Sequence, residues 1–289
     1  MIGVTGATGH LGGRIAAQLA ERGVAQRLIV RDAGRAPALD GADVAEVGGY
    51  HDGEGMRRAL DGVDTLFLVS ASEDPDRVSL HRSAIDAAAA AGVGRVVYTS
   101  FLAAAPDTTF TFGRDHFHTE EHLRASGMGW TMLRDSIYLD YVPFFASADG
   151  VIRGPAGDGR VAAVARADVA GVALVTLLDD AHAGAAYDVT GREAITLAEA
   201  AEILTRVSGR EVTYVQETLE EARASRAPSG APDWEIEGWV TSYAVIAAGE
   251  LDVVADTVER LTGHEPMTLP EFLERHPGSW AHLKGTPET

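Results

Sequence analysis

Three glycines at i, i+3 and i+6 separate an apolar run from a helical pattern at the start of the chain: Ile2-Gly3-Val4-Thr5, then Gly6-Ala7-Thr8-Gly9-His10-Leu11-Gly12. A strand that turns this tightly into a helix belongs in a parallel α/β sheet. Gly6 permits the turn, Gly9 lets backbone N–H groups approach a pyrophosphate, and Gly12 allows close helix–strand packing. The helix N-terminus adds partial positive charge for the phosphates. A glycine triplet alone also fits an ordinary βα turn, but the strand–turn–helix context is met here and points to dinucleotide binding.

The rest of the first two-thirds repeats the alternation. Apolar runs at 2–5, 27–30, 44–47, 65–69, 95–99 and 130–133 predict strands buried on both faces. Helical patterns at 11–22, 55–60, 75–91 and 115–125 fill the gaps, with Asp74-Pro75 as an N-cap and first-turn proline for the third. Right-handed crossovers between such strands give a doubly wound parallel sheet of the α/β class. After about residue 150 the pattern changes. Asp168 is placed to cap a helix ending near 178, 187–190 reads as a short strand, and the remainder is mostly helical. Thr196…Glu199 and Thr268…Glu271 are capping-box patterns, and 225–232 is the loosest stretch, a loop. The division expected is 1–150 for the dinucleotide-binding domain, with a returning segment at about 160–190, and 191–289 for a smaller substrate-side region.

Composition excludes several chemistries. There is no cysteine, so no disulfide, thiolate metal site or cysteine nucleophile. The sole lysine is Lys284, which rules out a Walker loop and core Schiff-base chemistry. A net charge of −19 repels phosphate backbones and anionic lipid, so neither nucleic acid nor a membrane is an expected partner. With no run long enough to span a bilayer and no room for a signal peptide before residue 2, a cytoplasmic location is expected.

The end of the second strand selects the cofactor. A site for an unphosphorylated ribose carries Asp or Glu there; this chain reads Val30-Arg31-Asp32, with Arg35 nearby. A guanidinium binds a 2′-phosphate and stacks on adenine, so NADP(H) is favoured over NAD(H). Asp32 falls one place late for the ribose and reads equally as a loop or helix cap.

GATGHLGG, LIVRD, LFLVSAS, LHRSAIDAAAAAGVGRVVYTS and DHFHTEEHLRASGMGWTMLR together resemble the NmrA-like atypical short-chain dehydrogenases, and among them the NAD(P)H:quinone oxidoreductase type 2 branch. The resemblance runs nearly end to end. It implies a Rossmann domain, a small C-terminal region over the nicotinamide cleft, NADPH, and quinones as hydride acceptors. It also implies that Gly6, Thr8, Gly9, His10, Leu11, Gly12, Arg31, Val69, Ser70, Ala71, Ser72, Ser136, Ile137, Tyr138 and Tyr141 lie along the cofactor. The chain departs at Arg134-Asp135, where similar proteins tend to carry Arg-Asn.

Most short-chain dehydrogenases protonate their product through Tyr-x-x-x-Lys, and none of the seven tyrosines here has a lysine four places on. A quinone suits such a site, because its reduction yields a stabilised hydroquinone anion. His116, expected at the start of the helix after the fifth strand, has an ordinary pKa suited to proton exchange and stands where the resemblance places a lysine or histidine. It reads equally as a helix-terminal histidine. Ser100 is placed either to bond a nicotinamide or substrate oxygen or to satisfy the strand end. Tyr138 and Tyr141 either wall a flat acceptor or pack. His118-Thr119-Glu120-Glu121-His122 matches the inverted zinc-peptidase pattern, but the match is short and surface residues are the better reading, so no metal is expected. Two classes of function remain: a reductase of quinones or similar conjugated carbonyls, and an NADP(H)-binding redox sensor that acts through a protein partner without turnover. The reductase is favoured. The chain could pair as a homodimer; nothing in the sequence decides it.

Overall fold

Short apolar strands can be buried on both faces only if helices cover both, and the chain delivers them alternately. The computed structural model describes residues 1–284. The first elements are β1 (Ile2–Thr5), α1 (His10–Glu21), β2 (Gln26–Val30), β3 (Ala42–Glu46), α2 (Gly53–Ala59), β4 (Thr65–Leu68) and α3 (Arg77–Ala90). Next come β5 (Arg95–Phe101), α4 (Thr111–Ala125), β6 (Gly129–Asp135), α5 (Val142–Phe145), β7 (Val151–Gly154), β8 (Arg160–Val161), α6 (Arg166–Leu178) and β9 (Ala185–Val189). The last are β10 (Ile195–Thr196), α7 (Leu197–Ser208), β11 (Thr213–Gln216), α8 (Leu219–Arg226), α9 (Asp233–Ala247), α10 (Thr257–Thr262) and α11 (Leu269–Arg275).

The contacts divide the described chain into two units. The first comprises Met1–Pro106, Arg114–Arg134 and Ala167–Asp188; the second comprises Asp107–Gly113, Asp135–Arg166 and the chain from Val189 onward. Where the sequence suggested a boundary near 150, the second unit thus takes two earlier segments, and the returning segment is Ala167–Asp188.

The main sheet has the order β3-β2-β1-β4-β5-β6-β9. β1 pairs in parallel with β2 and β4, β2 with β3, and β4 with β5. Gly184 N donates to Trp130 O at 2.7 Å and Ser136 N to Val189 O at 3.0 Å, so β9 runs parallel to β6. The chain winds outward from β1 to β3, then returns to β4 and winds the other way. The reversal lies between β1 and β4, and their carboxyl ends are where such sheets bind ligands. This is the doubly wound Rossmann arrangement expected.

β1 and β4 are buried throughout. β3 departs from the expected double burial: Asp43 and Val44 are exposed, because β3 is a sheet edge. One core packs Ile29, Met56, Leu60, Leu66, Ile85, Val96, Tyr98, Leu123 and Met132 together. α3 starts at Arg77 rather than at Pro75; Asp74 Oδ1 accepts from Asp76 N at 2.8 Å in a turn ahead of it. α4 starts four residues earlier than the pattern suggested, at Thr111. Asp168 is a buried residue in the first turn of α6 and not its cap.

In the second unit β7 pairs in parallel with β11, and β8 antiparallel with β10. These short strands escaped the sequence reading, since two to four residues carry too little periodicity to separate them from loop. The capping boxes Thr196–Glu199 and Thr268–Glu271 form as expected, and Thr218–Glu221 makes a third. Through 225–232, expected as loop, α8 finishes and a 3₁₀ turn (Ala227–Ser229) follows before α9. Ala222, Ile236 and Val240 pack against Trp239 there. No helix among the described residues is long and apolar enough to cross a membrane.

Candidate active site

The glycine turn is built as its spacing required. Gly6 has φ +63°, and a Cβ there would sit 3.2 Å from the Val69 side chain. Gly9 N donates to Gly6 O at 2.9 Å, closing the turn. A Cβ on Gly12 would lie 2.4 Å from Gly6 O, so α1 approaches β1 as only glycine permits. Gly9 caps α1 without a side-chain bond, leaving the N–H groups of the first turn for an incoming anion. Thr8, Gly9 and His10 are exposed, whereas the Leu11 side chain belongs to the core.

At the end of β2, Asp32 Oδ1 accepts from Gly34 N at 2.9 Å and caps the 3₁₀ turn Ala33–Arg35. Its carboxylate is thus spent on the backbone. The Arg31 and Arg35 side chains are exposed and make no hydrogen bond or ion pair among the described residues. In a chain of net charge −19, two unpaired guanidiniums beside the sheet's reversal point are conspicuous.

The segment leaving β4 is held by side chains from four directions. Thr5 Oγ1 accepts from Val69 N at 2.9 Å, and Tyr50 donates to Val69 O at 2.5 Å. Thr99 Oγ1 accepts from Ser70 N at 2.7 Å. His81 Nε2 accepts from Ala71 N at 2.8 Å, and Arg77 Nε donates to Ala71 O at 2.9 Å. Ser72 beyond it is exposed. Burial pushes the Tyr50 hydroxyl up to about 12, against smaller opposing effects of Thr5 and Arg31, so it remains a donor.

Arg77 and His81 belong to a buried network that also holds His116. Arg77 Nη2 donates to His116 Nε2 at 3.1 Å, so that nitrogen carries no proton, and Nδ1–H faces the Tyr98 hydroxyl at 2.9 Å. His81 likewise presents a bare Nε2 to Ala71 N, and its Nδ1–H meets Thr119 Oγ1 at 2.8 Å. Thr119 passes its own proton to Asp115 O at 2.7 Å. Burial first and the Arg77 charge second depress both rings: His81 to about 3, His116 well below the ordinary histidine value. His116 therefore lies in the second turn of α4, 6% exposed and neutral, unlike the helix-terminal ring of ordinary pKa that the sequence suggested.

Ser100 is buried and donates to Glu120 Oε1 at 2.6 Å, which leaves its oxygen able only to accept from a ligand. Glu120, fully buried, also takes Arg134 Nη2 at 2.7 Å and Arg124 Nη2 at 2.9 Å. Burial raises its pKa, but the bonds from Arg134 and Ser100 and the arginine charges outweigh it and hold the carboxyl below its usual value. His122 Nε2 meets Asp86 Oδ1 at 2.7 Å, and Glu121 pairs with Arg124, so the members of the peptidase-like pattern turn to separate partners.

In the second unit Tyr138 donates to Asp135 Oδ2 at 2.8 Å. Its ring stacks with Tyr141 at 6.1 Å, and Arg166 lies over both rings, at 4.8 and 4.3 Å, while pairing with Asp140. Burial, then the Asp135 carboxyl, pushes the Tyr138 hydroxyl well up. Ile137 O accepts from Val164 N at 2.9 Å, fixing the chain between Ser136 and Tyr138. Sequence reasoning passed over Tyr50, Arg77, His81 and Tyr98 as site residues and singled out Asp135 only as a departure from similar proteins. The usable signals were the i, i+4 pairs Arg77/His81 and His116/Glu120, whose polar side chains face one way on helices.

Residues 6–180 match the NAD(P)H-binding family model. The chain is 36% identical over 281 residues to quinone oxidoreductase 2 of Escherichia coli, covering 94% of this chain and 96% of that one. It is 33% identical over 280 residues to the NAD(P)H azoreductase of Xenophilus azovorans, covering 96% and 98%. The crystal structure of the Escherichia coli NADPH-dependent quinone oxidoreductase complexed with NADPH superposes with a TM-score of 0.87 at 34% identity, covering 95% of this chain and 99% of that one.

Proposed function

Since the chain belongs to the NAD(P)H-binding family and is an NAD(P)H-dependent oxidoreductase, we propose that it prefers NADPH and reduces a quinone or a similarly conjugated acceptor. The observation that carries the cofactor preference is the pair of unpartnered guanidiniums, Arg31 and Arg35, beside an Asp32 consumed as a cap. A ribose 2′-hydroxyl wants the carboxylate that is missing; a 2′-phosphate wants the cation that is free.

When bound, NADPH supplies a hydride. The first-turn N–H groups of α1, with Thr8, Gly9, His10 and Leu11 contributing backbone, would hold the pyrophosphate. The clamped segment Val69–Ala71 forms a rigid wall at the same end of the sheet, since its backbone groups are tied to side chains. His116 acts here by positioning: it holds Arg77, which holds Ala71. Ser100 offers an acceptor lone pair to an amide N–H. Within the second unit, Tyr138 and Tyr141 offer a flat aromatic face for a conjugated ring.

The acceptor class follows from what the chain lacks. No tyrosine is followed by lysine four residues on, and His116 is neutral with both nitrogens engaged. A saturated ketone, whose alkoxide demands a proton as hydride arrives, is poorly served; a conjugated acceptor spreads the charge. The names of the two curated relatives, a quinone oxidoreductase and an azoreductase, support the same class. The test is NADPH oxidation with 1,4-benzoquinone and with a saturated ketone. Turnover of the quinone alone is expected; efficient ketone reduction, or tight NADP binding with no turnover of any quinone, overturns the reading.

A further inference from the structure

Val47 N donates to Val30 O at 3.0 Å, so the chain beyond β3 stays beside the end of β2, where Arg31 leaves the sheet. The turn that follows, residues 48–52, is fixed from two sides. The Tyr50 hydroxyl ties it to Val69 O at the exit of β4. Asp52 accepts from Gly48 N at 3.0 Å through Oδ2 and from Gly55 N at 2.9 Å through Oδ1. Between these anchors His51 is exposed, and its ring makes no hydrogen bond or ion pair among the described residues.

Gly49 shows which neighbour the ring shares its space with. Its φ is +116°, in the region that favours glycine, and a Cβ built there would lie 3.4 Å from His51 Nδ1 and 3.8 Å from Arg31 Cδ. The imidazole and the Arg31 side chain therefore flank one small gap, which the missing side chain of Gly49 leaves open. The carboxylates nearby are occupied by backbone N–H groups. Asp32 caps Gly34 N, Glu46 Oε2 accepts from Ala33 N at 2.8 Å, and Asp52 serves its two donors. Arg58 of α2 is the further charge near Asp52, and Tyr50 keeps its proton on Val69 O. In a chain of net charge −19, two adjacent basic side chains stand without an acid of their own.

We infer that His51 is a second ligand of the NADPH 2′-phosphate, beside Arg31, and that it makes the choice of NADPH over NADH depend on pH. The inference rests on the NADPH preference proposed above. Arginine carries its charge at every working pH and cannot by itself make the preference fade as pH rises. Histidine changes charge between about pH 5 and 8, the range in which a phosphate monoester, with a second pKa of about 6, becomes a dianion. A dianion beside the ring favours the imidazolium, so the ring takes up a proton as NADPH binds. NADH presents a ribose hydroxyl there and draws no such proton. His51 thus strengthens NADPH where the ring is charged and adds little where it is neutral.

The test is equilibrium binding of NADPH and of NADH, which needs no turnover. His51→Asn removes the charge and keeps a polar side chain. At about pH 6 it should weaken NADPH about 3- to 10-fold and leave NADH unchanged. At about pH 8.5 the loss should shrink to less than about twofold. Ionisation of the phosphate is common to both proteins and drops out of the comparison. His51→Arg keeps a charge at every pH and should bind NADPH more tightly than the wild type at about pH 8.5, again with NADH unchanged. No loss in His51→Asn at the lower pH, an equal loss for both cofactors, or a loss for NADPH that is the same at both pH values overturns the role of His51. If Arg31→Ala still abolishes the preference in that case, the NADPH reading stands. A wild type that binds NADPH and NADH equally at both pH values removes both.

Discussion

The polar groups behind the β4 exit and those at the end of β6 are about equally buried, and the protein treats them in opposite ways. At Val69–Ala71 three backbone N–H groups and two carbonyls each meet a side chain, and the side chains meet one another through His81, Thr119, Tyr98, His116 and Arg77. At Asp135 and Ser136 two polar atoms meet nothing. A densely bonded network gains rigidity and gives little to a ligand; an unsatisfied corner sacrifices stability and holds binding capacity in reserve. The same contrast recurs in miniature on one loop, where Asp32 is used up by Gly34 N and Arg31 is left free.

Changes in the densely bonded set should register as stability and changes in the open set as ligand affinity. Arg77→Met removes the partner of both Ala71 O and His116 Nε2 and should destabilise the fold by about 3–5 kcal/mol in chemical denaturation. A loss under about 1 kcal/mol would mean that the network is not a unit. Arg31→Ala, in contrast, should leave the unfolding transition in place and weaken NADPH by about 1.5–3 kcal/mol, with NADH nearly unaffected. Equal losses for both cofactors would move the 2′-phosphate contact elsewhere.

Acid should separate the two regions by sign. His81 takes a proton at about pH 6.5 in the unfolded chain but only at about 3 in the fold. Between those values the unfolded state binds more protons, so the contribution of His81 is fully present above pH 6.5 and declines as pH falls. At pH 5 the loss should be about 2 kcal/mol, and His81→Gln should flatten the slope measured by denaturation across that interval. Asp135 runs the other way: the fold holds its proton more firmly than the unfolded chain does, so stability declines as pH rises above the ordinary aspartate range. The smallest effect belongs to Asp32→Ala. Loss of the cap to Gly34 N should cost no more than about 1 kcal/mol. The ratio of NADPH to NADH affinity should stay the same; a shift toward NADPH would give Asp32 a ribose role after all.

Local rules accounted for much of this. The glycine spacing called for the turn that Gly6, Gly9 and Gly12 make, because each demand is met within seven residues of the chain. The capping boxes at Thr196 and Thr268 formed for the same reason. β3 was legible as a strand but not as an exposed one, since its place at the edge depends on which strands lie beside it.

What a residue is was plain from the sequence: a chain with one lysine, no cysteine, an arginine after the second strand and a histidine near the fifth. What a residue is free to do was decided only by tertiary structure. His116 reads as a proton exchanger until Arg77, thirty-nine positions earlier, and Tyr98, eighteen earlier, occupy its two nitrogens. Asp135 reads as an ordinary carboxylate until burial without a cation holds its carboxyl well above the usual range. Protonation and availability depend on solvent exclusion and on neighbours far apart in the chain, and neither is written in local spacing.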